Sequence, residues 1–158
     1  MDAPTRRQRF NHVALTVPAD DLDEASRADL LDFYSTVFGW EELPITEDRK
    51  QFVLRAHSFE QFVFIMAEEQ PMRGSAMSHF GMSVPSKQEL DDLYERARAY
   101  ADRDDRVELS ERDVENQHDV LLLHNFYVRF LLPLSIEVQY FDWTNDDVRA
   151  LVEAERVP

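Results

Sequence analysis

A short segment occurs twice in the chain: NHVALTVP, from Asn11 to Pro18, returns as SHFGMSVP from Ser78 to Pro85. Each copy reads polar, His, apolar, small, apolar, hydroxyl, Val, Pro. An internal repeat constrains a fold more than any other pattern, because the chain then builds the same supersecondary unit twice. The flanking residues repeat as well. ASRADLLDFYSTVFGW sets Leu30, Tyr34, Val37 and Phe38 at helical spacing and ends at Gly39, a residue suited to a helix stop. KQELDDLYERARAYA does the same with Leu90, Leu93, Tyr94, Ala97 and Ala101, and Ser86 stands where an N-cap belongs. Runs rich in Phe, Val and Ile then predict strands near Glu41 to Ile45, Gln51 to Ala56 and Gln61 to Met66. In the second half they fall at Arg106 to Ser110, Val120 to Leu131 and Ser135 to Phe141. Acidic loops are expected near Ala101 to Asp105 and Glu111 to Asp119, and a last helix is expected within TNDDVRALVEAERV, capped by Thr144 or Asn145.

The fold class is therefore α+β, with two tandem βαβββ modules at about residues 9–70 and 77–142. They are read as one domain over residues 1–143, followed by a helical extension over 144–158. A chain of 158 residues suits one core or two small modules.

Composition removes several kinds of chemistry. There is no Cys, so disulfides, thiolate zinc sites and a cysteine nucleophile are excluded. Three glycines, none in a GxGxxG or P-loop spacing, leave no phosphate-cradling loop. A formal net charge of −15 opposes binding to nucleic acid and to anionic membranes. The basic start, MDAPTRRQRF, lacks the apolar stretch of a signal peptide, and no run approaches a membrane span, so a cytoplasmic protein is expected.

Strand alternation then gives the repeated histidines a context. His12, Ala14 and Thr16 share one face of their strand; His79, Gly81 and Ser83 share the matching face of theirs. A histidine followed by small residues leaves room on that face. In the last strand Glu137 and Gln139 oppose Ile136, Val138 and Tyr140, and a carboxylate among such neighbours is costly to bury unless it is paired or ligates a metal. A single strand histidine is more often an ordinary hydrogen-bonded residue. Two at equivalent repeat positions, with a carboxylate of matching parity, make the two-imidazole, one-carboxylate set of mononuclear metal sites with open positions. Such an ion can polarise adjacent substrate oxygens or activate water or dioxygen.

With these residues in place, the chain from about residue 9 to 142 resembles the vicinal oxygen chelate superfamily of glyoxalases, bleomycin-resistance proteins and extradiol dioxygenases. The resemblance implies curved mixed sheets with helices outside, and metal ligands at His12, His79 and Glu137. It implies one divalent ion, Fe2+ first, with Zn2+, Mn2+ or Ni2+ as alternatives. It also implies a small-molecule substrate and a homodimer, in which ligands of some members come from both chains. Asn116-Gln117-His118, seven residues, Phe126-Tyr127, then Pro133 and Glu137 are similar to the extradiol ring-cleavage signature. That similarity implies that His118 either supports a metal ligand from behind or acts as an acid/base group, and that Tyr127 hydrogen-bonds the substrate oxygen, both near the metal. Phe130 and Leu131 depart from the signature, and FLLP replaces its DPxG turn.

The enzyme expected is thus a dioxygenase, lyase or isomerase, with extradiol chemistry favoured over glyoxalase or isomerase chemistry. The competing expectation is a metal-free protein that sequesters a small molecule or antibiotic, as bleomycin-resistance proteins do. A regulatory domain with a relic site is the third. Of the other polar strand residues, His57 is expected in solvent, His124 on the face opposite Tyr127, and Arg129 on the face of Tyr127.

Overall fold

The computed structural model describes residues 9–44 and 50–156. The chain divides into two compact units, one ending at Arg73 and the other beginning at Gly74.

In the first unit, strand β1 (His12–Val17) is followed by a 3-10 turn (Ala19–Leu22) and helix α1 (Glu24–Phe38). The strands β2 (Glu41–Glu42), β3 (Gln51–Ser58) and β4 (Gln61–Ala67) follow. They form a sheet in the order β1-β4-β3-β2, with β1 parallel to β4 and the other pairs antiparallel. The strand expected from Glu41 to Ile45 stops after two residues; Ile45 itself lies outside the described residues. Helix α1 starts because Asp23 accepts a hydrogen bond from the Ser26 amide at 2.8 Å, satisfying an orphan N–H. It stops at Gly39, whose φ of 72° is the left-handed turn that glycine adopts freely. Leu30, Phe33, Tyr34 and Val37 form its buried stripe, with Leu15, Phe52, Leu54 and Ile65 also in the unit's core. The periodicity pointed to Phe38, but Phe33 takes the buried place because it falls between Leu30 and Val37 on the stripe. Phe38 stays half-buried at its edge, near Tyr34 and Trp40.

The second unit repeats the plan with β5 (His79–Ser83), α2 (Lys87–Ala101), β6 (Glu108–Leu109), β7 (Asp113–Gln117), β8 (Leu121–Arg129) and β9 (Ser135–Trp143). Helix α3 (Asp146–Arg156) ends it. The order is β5-β9-β8-β6, and β7 also pairs with β8. Here too the first strand lies parallel to the last. Ser86 caps α2 by accepting from the Glu89 amide at 3.2 Å, and Asn145 accepts from the Val148 amide at 3.1 Å at the start of α3. Leu90, Leu93, Tyr94, Ala97 and Tyr100 are the buried residues of α2. Tyr94 meets Phe126 edge-on at 5.3 Å and Tyr100 meets Phe130 at 5.7 Å, so helix and sheet interlock through aromatic pairs.

The segment expected as a loop from Glu111 to Asp119 instead contains β7. DVENQ is exposed at every position, so it has none of the apolar alternation that marks a strand in a sequence; its pairing with β8 alone makes it one. Gly74 meets a stricter demand. A Cβ there would lie 2.1 Å from the Pro133 carbonyl oxygen, so only glycine lets this backbone run beside the entry to β9.

Candidate metal centre

The second unit builds its polar cluster from strand register. The parallel ladder sets Gly81 of β5 opposite Glu137 of β9, and the antiparallel ladder sets Tyr127 of β8 opposite the same Glu137. With Phe126 and Val128 committed to the helix side, Asn125 and Tyr127 project on the face that carries Glu137.

Glu137 is buried, at 5% exposure, and two side chains donate to one of its oxygens. Its Oε1 accepts from the Tyr127 hydroxyl at 2.9 Å and from the Asn125 amide at 3.3 Å. Its Oε2 faces His79 Nε2 at 3.2 Å. The ring of His79 is anchored from behind, where Nδ1 lies 2.9 Å from the Met77 carbonyl oxygen. Since a carbonyl only accepts, Nδ1 carries the proton and donates it, and the Nε2 of a neutral ring is left as a lone pair. Two acceptors then point at each other, which calls for a proton or a cation between them. Donors about 2.1 Å from a shared divalent ion lie roughly 3.0–3.4 Å apart, so the 3.2 Å separation fits a pair of ligands. Backing a ligand imidazole with a carbonyl at its second nitrogen is also the common support for such a residue.

Tyr127 closes the cluster. Its ring meets His79 edge-on at 5.3 Å. Burial, then the hydrogen bond to Glu137, then the charges of Glu137 and Glu115, push its phenol up to about 12. It is therefore a neutral donor at ordinary pH.

In the first unit His12 has a similar arrangement. Its Nδ1 lies 2.9 Å from the Asn11 side-chain oxygen and its ring stacks on Phe62 at 5.2 Å. The ladder there sets Ala14 opposite Phe64, the position that Glu137 occupies opposite Gly81. A phenyl ring thus stands where the other unit has its carboxylate, and the repeat is chemically asymmetric. Among the described residues, no group of three His, Asp or Glu side chains is assembled for a metal.

His118 is not brought to this cluster. It sits in the turn between β7 and β8, at the Leu121 end of β8, six residues along that strand from Tyr127. At roughly 3.3 Å per residue, that is about 20 Å of strand. His118 and Asp119 have φ of 55° and 57°, and the Val120 amide donates to the Gln117 carbonyl at 3.1 Å. This is the turn type that needs two left-handed residues. Of the others, His57 is exposed, His124 lies beside Tyr140, and Arg129 pairs with Glu108.

Two residues near the centre escaped the sequence reading. Asn125 is only 1% exposed, and its amide also donates to Glu115 at 2.8 Å. Its parity with Tyr127 inside the apolar run LLLHNFYV was the available signal. Glu115 gave none, since its segment lacked a strand pattern.

Among solved structures, one from Bacillus anthracis provisionally placed in the glyoxalase family is 21% identical, covering 89% of this chain and 100% of its own, with a TM-score of 0.60. A glyoxalase/bleomycin resistance protein/dioxygenase from Alicyclobacillus acidocaldarius is 21% identical, covering 90% and 98%, with a TM-score of 0.58. The fosfomycin resistance protein FosX from Listeria monocytogenes is 16% identical, covering 85% and 92%, with a TM-score of 0.58. The chain has the vicinal oxygen chelate fold. No protein-family model matches the sequence, and no curated protein does. No helix among the described residues is long and apolar enough to cross a membrane. Within this fold His79 Nε2 and Glu137 Oε2 face one another at 3.2 Å, and the Tyr127 hydroxyl lies beside them on Glu137 Oε1.

Proposed function

We propose that the protein is a divalent-metal enzyme of the vicinal oxygen chelate type, acting on a small organic molecule through two adjacent oxygens. The observation that carries this is the facing pair of acceptors, His79 Nε2 and Glu137 Oε2, each fixed from behind and unable to satisfy the other without a cation or a proton. His79 and Glu137 are the proposed ligands, with His12 the third ligand expected from the repeat. When bound, the ion supplies Lewis acidity toward both substrate oxygens.

The chain's own residues do the rest. The His79 Nδ1–H bond to the Met77 carbonyl orients the imidazole. Glu137 offers Oε2 while Tyr127 and Asn125 hold Oε1. Tyr127, protonated at neutral pH, gives its one hydrogen to Glu137 Oε1, so a substrate hydroxyl would meet the phenol oxygen as an acceptor. Extradiol cleavage of a catechol is the favoured reaction, on the similarity that includes Tyr127 and Glu137; the same similarity gives His118 the acid/base role, but its turn stands about 20 Å of strand from Tyr127 and its position lends that role no support. A lyase or isomerase acting on vicinal oxygens is next. The alternative is a metal-free protein that sequesters a small molecule or antibiotic.

Elemental analysis of freshly purified protein, then anaerobic loading with Fe2+ and a colour assay with catechols, tests the proposal. About one ion per site, lost in His79→Ala and Glu137→Ala, is the expected result. Small-molecule binding that persists unchanged in chelator would favour the sequestering reading.

A further inference from the structure

We propose that Asn125 is a positioning residue which, anchored by Glu115, fixes the Glu137 carboxylate so that it ligates through Oε2 alone. The inference rests on the metal centre proposed above. An amide at 1% exposure in a strand of Leu, Phe and Val is costly to bury, and it is retained only where its hydrogens find partners. Both hydrogens of Asn125 Nδ2 find carboxylates: Glu115 Oε1 at 2.8 Å and Glu137 Oε1 at 3.3 Å. That arrangement fixes which way the amide points, because a flipped side chain would aim its own oxygen at two anions.

The consequence falls on Glu137. With Asn125 and Tyr127 both donating to Oε1, that oxygen is occupied and Oε2 is the one left facing His79. Glu115 is exposed on β7, and its other oxygen accepts from Gln117 at 3.1 Å. A solvent-facing strand is thereby tied to the centre through one buried amide. Without the Glu115 acceptor, Asn125 is free to rotate, Glu137 loses a donor, and its carboxylate can turn.

Calorimetric titration of the purified full chain with Mn2+ and Zn2+ tests this. Partners behind a ligand are commonly worth about 10–100-fold in metal affinity. Glu115→Ala and Asn125→Ala are expected to weaken binding by about tenfold or more. Glu115→Gln keeps an acceptor for the Asn125 amide and is expected to recover most of the affinity and a metal-free thermal midpoint near the wild-type value, whereas Glu115→Ala leaves a buried donor unpaired and lowers that midpoint while the protein stays folded. If Asn125→Ala fails to fold, the two Glu115 variants decide, since their side chain is at the surface. Wild-type binding with unchanged affinity in the variants overturns this inference and leaves the metal centre standing. A loss in Glu115→Gln as large as in Glu115→Ala overturns it too, because it assigns the effect to charge rather than to the tether. No binding by wild type removes both.

Discussion

Replacing Tyr127 with Phe keeps the ring against His79 and removes one hydroxyl, so it isolates the bond to Glu137. That bond is 2.9 Å long and ends on a carboxylate at 5% exposure. Hydrogen bonds to charged groups contribute about 1.5–3 kcal/mol. The lower end applies here, because Asn125 still serves the same oxygen at 3.3 Å. A loss of about 1.5 kcal/mol, divided by a urea dependence of about 2 kcal/mol per molar, moves the unfolding midpoint down by roughly 0.7 M. Tryptophan fluorescence in a urea series measures it. The pH dependence gives an independent check. A tyrosine in the unfolded chain ionises near 10, whereas the folded Tyr127 holds its proton to about 12. Between those values the unfolded state binds fewer protons, so this contribution is whole below pH 10 and is lost as pH rises toward 12. The gap between wild type and Tyr127→Phe is therefore expected to narrow across that window, and the late-ionising tyrosine is expected to vanish from the ultraviolet titration of the variant. Equal urea midpoints at pH 7, with the late ionisation still present in Tyr127→Phe, would refute the assignment of this hydroxyl to Glu137.

Gly74→Ala is expected to cost about 1–3 kcal/mol or more, since its Cβ meets the backbone oxygen of Pro133 at 2.1 Å; denaturant unfolding reads the loss. His118→Gly is expected to leave stability unchanged or raise it by a few tenths of a kcal/mol, because glycine adopts its φ of 55° without strain. Catalytic rate in the same variant separates the turn role from an acid/base role. Asp23→Ala removes the acceptor for the Ser26 amide and is expected to lower the thermal unfolding midpoint.

The repeat made the architecture legible. Once NHVALTVP and SHFGMSVP were aligned, both helices, their caps at Ser86 and Gly39, and the strand faces of His79 and Glu137 followed from spacing. What stayed hidden depends on pairing rather than on pattern. β7 has no buried face, and only its ladder with β8 creates it, so Glu115 could not be placed beforehand. Asn125 was readable by parity, but its two carboxylate partners come from different strands, and no local pattern joins them. His118 shows the reverse case. Its spacing to Tyr127 matches a family signature, while a left-handed turn sets it six strand residues from that tyrosine.

Because each unit lays its opening strand beside its closing one, neither sheet can be finished until its far end has been made. During synthesis the first unit has all its strands by Ala67 and can close early, while His79 must wait roughly sixty residues for its carboxylate. The His79 imidazole therefore leaves the ribosome well before Glu137, the carboxylate that faces it, and the pair exists only once the second sheet has closed.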